Sequence, residues 1–112
     1  MPQTIRGLVE QYIDNVKDIY GSHLRQVILY GSYARGDFDA ESDVDILILL
    51  DLKEQDIKAY RHQLSDMTFD FNMGYDMDIK PIVKNAEHFE IWIENYPFYA
   101  NVKKEGIILY AA

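Results

Sequence analysis

One stretch of this chain, residues 31–50 with the sequence GSYARGDFDAESDVDILILL, decides its fold. It follows the apolar segment 26–30, which ends at Gly31 and Ser32, and it closes with an apolar run that begins with the triplet 43–45, DVD. Short runs rich in branched apolar residues predict strands, and the polar residues between them predict a loop. We therefore expect the glycine–serine turn to end one strand and the two aspartates to begin the next.

The rest of the chain predicts helices around a small sheet. Apolar residues recur at helical spacing over residues 5–20 and 54–71, with a break expected at 72–74. Further along we expect a third strand over 75–83, then a helix that Asn85 caps and that runs to residue 96 with Trp92 in the core. A short helix over 98–105 and a last strand over 107–110 should follow. This order predicts an α+β (mixed α/β) fold, a small mixed sheet flanked by helices, in one domain over 1–112.

Composition narrows the possible functions. The chain has 112 residues, a formal net charge of −8 and no cysteine. The acidic balance argues against direct nucleic-acid binding, which requires basic side chains for the phosphates. The lack of cysteine excludes disulfides and zinc–thiolate sites. The N-terminus is too polar for a signal peptide, and the longest apolar run, 46–50, is far too short to cross a membrane, so we expect a cytoplasmic protein.

Asp43 and Asp45 are the strongest candidates for a metal site. Side chains alternate along a strand, so these two carboxylates share one face, with α-carbons about 6.5 Å apart. Together they can hold one or two Mg²⁺ ions, and two such ions about 3.5–4 Å apart are the usual device for phosphoryl and nucleotidyl transfer. The alternate residues of the same strand are expected to be buried against a helix: Val44, Ile46, Ile48 and Leu50.

A third carboxylate would complete two metal sites and accept a proton. Asp78 is the preferred candidate, because apolar neighbours on both sides place it inside the predicted third strand. Asp76 lies two residues earlier on the same predicted face and stays open as the alternative.

The glycine–serine turn suits phosphate binding. Gly31 allows the backbone to approach a phosphate closely, and Ser32 offers both an N–H and a hydroxyl group. Arg35 is close enough in sequence to help neutralise a triphosphate, although it can equally be a solvated surface charge, and the same holds for Lys80.

The alternating acids of residues 37–45 also suggest a calcium loop of the EF-hand type. Such a loop requires glycine at its sixth position and a bidentate glutamate at its twelfth. Counted from Asp37, those positions are Ser42 and Ile48, so the calcium interpretation fails.

The motifs as a set resemble the minimal nucleotidyltransferases of the DNA polymerase β superfamily. The matching residues are Gly31-Ser32, Ala34-Arg35-Gly36, Ser42-Asp43-Val44-Asp45-Ile46 and Asp78, and the tail over 97–110 resembles bacterial members of the group. The resemblance implies a polymerase β-like fold, ATP as substrate, Mg²⁺ as cofactor, and transfer of a nucleoside monophosphate to a hydroxyl group. In this pattern Asp43, Asp45 and Asp78 are catalytic and hold metal, while Gly31, Ser32 and Arg35 bind the nucleotide.

Many bacterial members of this group are similar to antitoxins that are paired with a HEPN-domain ribonuclease toxin. The resemblance therefore implies AMPylation of a toxin tyrosine by this chain, which would act as the antitoxin. Two alternatives remain open: an antitoxin that neutralises its toxin by binding alone, and a nucleotidyltransferase for a small hydroxylated molecule such as an aminoglycoside.

Overall fold

The computed structural model describes residues 3–112, which build one four-stranded sheet. The strands are β1 (Leu24–Tyr30), β2 (Val44–Leu50), β3 (Ile79–Asn85) and β4 (Ile107–Ala111). Their order across the sheet is β3-β2-β1-β4, in which β1 is antiparallel to both β2 and β4 while β2 and β3 are parallel. The sheet is therefore mixed, and the predicted α+β class is confirmed.

Six α-helices surround the sheet in the described part of the chain. They are α1 (Gln3–Tyr20), α2 (Ser32–Arg35), α3 (Glu54–Ala59), α4 (Arg61–Tyr75), α5 (Ala86–Trp92) and α6 (Pro97–Glu105). None of the helices within residues 3–112 is long and apolar enough to cross a membrane.

Different helices cover the two faces of the sheet. On the first face, α1 and α4 bury the residues of β2 that the sequence predicts to face a helix, Val44, Ile46, Ile48 and Leu50. On the second face, α5 and α6 bury the side chains that alternate with them, Leu47 and Leu49, together with Ile28 of β1. Strand β2 is thus buried on both sides, which explains why its sequence is a continuous apolar run.

The prediction of one helix over 54–71 is wrong in two respects, its continuity and its end. The chain forms two helices that meet at Tyr60, and α4 runs on to Tyr75 through the segment 72–74 that was expected to break it. Asn72 does not interrupt the helix, because its side chain bonds outside it: Oδ1 accepts from the N–H of Ile79 at 3.0 Å and Nδ2 donates to the Ile79 carbonyl at 3.1 Å.

The third strand consequently starts later than predicted. Asp76 ends α4 in the left-handed conformation (φ 53°), and β3 begins only at Ile79. Asp78 therefore lies directly before the strand rather than inside it.

The expected cap at Asn85 is present, since its side chain accepts a hydrogen bond from the N–H of His88 at 2.7 Å. Helix α5 stops at Trp92 rather than at residue 96, and Trp92 is 41% exposed, so its predicted place in the core is wrong. Its ring instead stacks on Tyr96 at the surface, with 5.7 Å between ring centroids.

Candidate active site

Two of the predicted carboxylates meet where the parallel strands β2 and β3 begin. Asp43 directly precedes β2 and Asp78 directly precedes β3. The N–H of Val44 donates to the carbonyl of Asp78 at 2.9 Å, which ties the two strand starts together. The carboxyl groups of Asp43 and Asp78 lie close enough that each shifts the pKa of the other.

Asp45 lies one step further along β2. By strand alternation it shares the second face of the sheet with Leu47. In the sheet it is paired with Tyr30 on one side and with Lys80 on the other. Gly31 follows Tyr30 and passes so close to the Asp45 carboxylate that a β-carbon at residue 31 would overlap it. The glycine turn and the aspartates, which are separated in sequence, are therefore in direct contact.

The charges of the site are only partly balanced by basic side chains. Lys80 Nζ lies 2.9 Å from Asp43 Oδ2. The neighbouring Asp78 carboxyl group and then the Lys80 ammonium hold the pKa of Asp43 below its usual range, while the proximity of Asp43 raises the pKa of Asp78. Burial, and then the charge of Asp43, raise the pKa of Asp45.

Tyr30 contributes a hydroxyl beside these acids. Burial and the neighbouring Asp45 carboxylate raise the pKa of Tyr30 to about 12. Its ring packs edge-on against Phe98 of α6, with 5.3 Å between centroids. The aspartates thus adjoin an aromatic wall on the second face of the sheet.

The donor set fits a divalent cation, although residues 3–112 contain no group of three potential ligands that is already gathered tightly enough to hold one. Asp43, Asp45 and Asp78 offer only carboxylate oxygens, the ligands that Mg²⁺ prefers. In this arrangement the Lys80 ammonium relieves repulsion among the carboxylates, which a bound cation would also relieve. Lys80 therefore already provides one positive charge beside the carboxylates.

The phosphate-binding candidates form a short turn after β1. Gly31 has φ 76° and ψ −156°, a conformation open essentially to glycine alone, and Ser32 begins the single turn of α2. The Gly31 carbonyl accepts from the N–H groups of Ala34 and Arg35, each at 3.1 Å. These two hydrogen bonds bend the chain back, so that the backbone of Arg35 lies close to Gly31 at the edge of the site.

Arg35 is held by two acids. Its Nε donates to Asp37 at 3.1 Å, and its Nη1 donates to Glu105 at 3.2 Å. These hydrogen bonds, first to Asp37 and then to Glu105, raise the pKa of the guanidinium group. Glu105 also accepts from the N–H of Gly31 at 3.2 Å, so it touches two of the predicted nucleotide-binding residues.

The structure therefore brings five of the six candidate residues to one end of the β1–β2–β3 strands, with Arg35 at the rim. Asp76, the alternative third carboxylate, ends α4 and is exposed, as Asp78 also is, but the pKa of Asp43 is shifted by Asp78 and not by Asp76. Sequence reasoning missed Glu105 and Asn72. Only the pairing of β4 with β1 brings Glu105 to the site, and that pairing left no local signal in the sequence.

Comparison with known proteins places this geometry in a family. A family described as "Nucleotidyltransferase domain" matches residues 9–109. The chain belongs to the nucleotidyltransferase domain family. A curated relative from Methanocaldococcus jannaschii, provisionally named a protein adenylyltransferase, is 34% identical over 102 residues, which cover 91% of this chain and 94% of the relative. A second protein of that organism and provisional name is 37% identical over 76 residues, covering 68% of this chain and 75% of its own length.

Solved structures share the fold of this nucleotidyltransferase. One from Sulfolobus solfataricus, provisionally named a nucleotidyltransferase, has a TM-score of 0.65 and 20% identity, covering 95% of this chain and 79% of that one. A toxin–antitoxin structure with AMP-PNP gives a TM-score of 0.58 and 18% identity, covering 92% and 73%. A complex of tri-AMPylated Shewanella oneidensis HEPN toxin with MNT antitoxin gives 0.56 and 16%, covering 94% and 71%.

Proposed function

We propose that this nucleotidyltransferase transfers AMP from ATP to a hydroxyl group of a partner protein, with Mg²⁺ as cofactor. The observation that carries the proposal is the contact between the Gly31 turn and Asp45, beside Asp43 and Asp78 at the starts of the two parallel strands. This arrangement brings together the turn that we propose for phosphate and the three carboxylates that we propose for metal, which supports a single site. Phosphoryl chemistry depends mainly on positioning and on neutralising charge, and both needs are met by these groups.

In the proposed reaction the oxygen of the acceptor hydroxyl attacks the α-phosphorus of ATP. The bond between the α-phosphorus and the oxygen that bridges to the β-phosphate breaks, and pyrophosphate leaves. Asp78 takes up the proton of the acceptor hydroxyl. Ser32 and Arg35 bind the departing phosphates through N–H and O–H donors.

Asp43, Asp45 and Asp78 would hold Mg²⁺, which supplies positive charge to the phosphates and lowers the pKa of the acceptor hydroxyl. The residues of this chain then orient both reactants. The backbone at Gly31 can approach the phosphates closely because it carries no side chain.

A protein acceptor is supported by the relative that matches 91% of this chain, since its provisional name is protein adenylyltransferase. The specific partner we propose is a HEPN-domain toxin, modified on a tyrosine, with this chain as its antitoxin. Complexes of a HEPN toxin with an MNT antitoxin are neighbours by fold, and the toxin of one of them is tri-AMPylated. The net charge of −8 favours a protein acceptor over an RNA end.

The test incubates the chain with ATP labelled at the α-phosphate, Mg²⁺ and the protein encoded by the neighbouring gene, for which we propose a HEPN toxin. We expect label on the toxin, located on a tyrosine by mass spectrometry. Asp43→Asn with Asp45→Asn should abolish labelling, whereas Asp70→Asn, which removes an exposed carboxylate of α4, should leave it unchanged. Circular dichroism confirms that each variant is folded.

The result also separates the alternatives. Absence of label under conditions in which the two proteins bind would overturn the transfer reaction. If the double asparagine variant still silences the toxin in growing cells, neutralisation occurs by binding alone.

A further inference from the structure

Glu105 connects two parts of the nucleotide-binding turn. Its Oε1 accepts from the N–H of Gly31 at 3.2 Å, and Arg35 Nη1 donates to Oε1 at 3.2 Å and to Oε2 at 3.3 Å. The Glu105 side chain is only 24% exposed, compared with 45% for Arg35. A half-buried carboxylate thus holds a more exposed guanidinium group.

The fold fixes Glu105 in this place. Strand β4 pairs antiparallel with β1 so that Ile107 lies opposite Leu29, and two residues further Glu105 falls beside Gly31. Gly106, which lies between Glu105 and Ile107, forms the tight connection from α6 to β4. Its N–H donates to the Val102 carbonyl at 2.7 Å, and a β-carbon there would come within 2.8 Å of the Ile28 side chain. The sheet therefore sets the position of Glu105.

The hydrogen bonds of Arg35 leave the Nη2 group of its guanidinium for a ligand. Asp37 binds Nε and Glu105 binds Nη1. Within residues 3–112, no hydrogen bond or ion pair engages Nη2. An arginine offers five N–H donors in a planar fork, so a guanidinium group held at Nε and Nη1 presents the two Nη2 donors in a fixed direction.

We propose that Glu105 is a positioning residue for ATP: it holds Arg35 and the Gly31 turn in the geometry that binds the triphosphate. This inference rests on the proposed nucleotidyl transfer. Glu105 acts through Arg35 and the Gly31 turn and does not itself contact the nucleotide. Arg35 has a long, flexible side chain, and fixing it before the ligand arrives reduces the entropy lost on binding.

The same contacts have a rival explanation with opposite consequences. The Glu105 carboxylate accepts from a backbone N–H and a guanidinium group, as a bound phosphate would. In the rival explanation Glu105 therefore occupies the phosphate position and competes with ATP. Removal of a competitor would strengthen nucleotide binding, whereas removal of a positioning residue weakens it. The direction of one measured change therefore separates the two.

The experiment measures binding of α,β-methylene-ATP, which cannot transfer AMP, in the presence of Mg²⁺ by isothermal titration calorimetry. We expect Glu105→Ala to weaken binding about tenfold or more, as when a group that orients a ligand-binding side chain is removed. Glu105→Gln should recover much of the loss, because its amide oxygen still accepts from Gly31 and Arg35. Lys104→Ala, an exposed neighbour on α6, is the matched control and should bind as the parent does.

A double-mutant cycle then tests whether Glu105 acts through Arg35. The loss of binding in Arg35→Ala with Glu105→Ala should be smaller than the two single losses multiplied, because the part of the Glu105 effect that passes through Arg35 is already lost. Tighter binding by Glu105→Ala, unchanged binding, or losses that multiply in the double variant would overturn the proposal, provided that thermal melting shows folded proteins. If the parent chain binds no nucleotide, the proposed function itself fails; if the parent binds and Glu105→Ala binds equally, only the role of Glu105 fails.

Discussion

The carboxylate of Asp45 lies against the α-carbon of Gly31, in the space that a β-carbon would occupy. The contact arises because β1 and β2 pair antiparallel with Tyr30 opposite Asp45, so the first residue beyond β1 passes beside that aspartate. The contact between the turn and the Asp45 carboxylate is direct, with no other side chain between them. Glycine at residue 31 is therefore required both by its backbone angles and by its neighbour.

Gly31→Ala should lower both stability and nucleotide binding. The positive φ of 76° alone costs about 1–3 kcal/mol for a residue with a side chain. The overlap with Asp45 adds to that cost and displaces a proposed metal ligand. Chemical denaturation and binding of α,β-methylene-ATP measure the two effects.

Gly36→Ala is the matched control for this prediction. Gly36 also has a positive φ, 87°, but a β-carbon there meets nothing within 4 Å. It should carry the backbone cost and leave nucleotide binding largely intact. Equal losses of binding in both variants would show that the contact with Asp45 is not what matters.

The ion pair between Lys80 and Asp43 predicts competition with metal. Lys80→Met removes the ammonium that lies 2.9 Å from Asp43, so the carboxylates lose a neutralising partner that Mg²⁺ can replace. We expect Mg²⁺ to raise the melting temperature of Lys80→Met more than that of the parent, with apparent Mg²⁺ affinity increased severalfold.

Lys84→Met, an exposed residue further along β3, controls for the general loss of positive charge. A different outcome would be equally informative. If Lys80→Met weakens nucleotide binding while Mg²⁺ affinity stays the same, Lys80 contacts phosphate instead.

Much of the framework could be predicted from residue patterns, because strand alternation and helical spacing are local. The alternation of β2 correctly placed Val44 and its companions against helices, and Asn85 was correctly predicted as a helix cap. The failures have non-local causes. Asn72 and Gly74 are residues typical of breaks, yet α4 continues through them because Asn72 bonds to a strand that follows later in the chain.

The site shows the same division. Spacing alone suggested that Asp43 and Asp45 share a face, and the structure places both beside Lys80, on the neighbouring strand. Glu105 could not be predicted, since it reaches Gly31 only through the register of β4 on β1, 74 residues away in sequence.

A buried hydrogen bond joins the two helices on the first face of the sheet. The Tyr12 hydroxyl of α1 lies 2.7 Å from Thr68 Oγ1 of α4, and both residues are buried. Tyr12→Phe leaves the threonine hydroxyl without this partner, so we expect a loss of about 1–3 kcal/mol in the free energy of unfolding. Thr68→Val should cost a similar amount by orphaning the tyrosine hydroxyl.

Tyr12→Phe with Thr68→Val completes the cycle, measured by urea denaturation. Because the pair is replaced by apolar groups of similar shape, the double variant should be more stable than the sum of the single losses predicts. Strict additivity would mean that the two hydroxyl groups do not interact.

Gly74 offers a stabilising change. It lies inside α4 without a positive φ, and a β-carbon there meets nothing within 4 Å. Gly74→Ala should therefore raise the free energy of unfolding by about 0.5–1 kcal/mol through helix propensity. Gly7→Ala in α1 has the same open surroundings and should give a similar gain, whereas a loss in either variant would contradict the helical environment described for it.

Asn72 should matter for catalysis although it lies outside the site. Its side chain satisfies the N–H and the carbonyl of Ile79 on the outer edge of β3, directly after Asp78. Asn72→Ala leaves both backbone groups without this partner, and we expect it to lower the free energy of unfolding by about 1–3 kcal/mol.

The same substitution, Asn72→Ala, also loosens the backbone segment that holds Asp78 in place. The rate of AMP transfer should therefore fall more than the affinity for α,β-methylene-ATP, because Asp78 is proposed to act on the acceptor. Asn101→Ala, exposed on α6, is the control. Equal effects of Asn72→Ala on transfer and on nucleotide affinity would contradict this assignment.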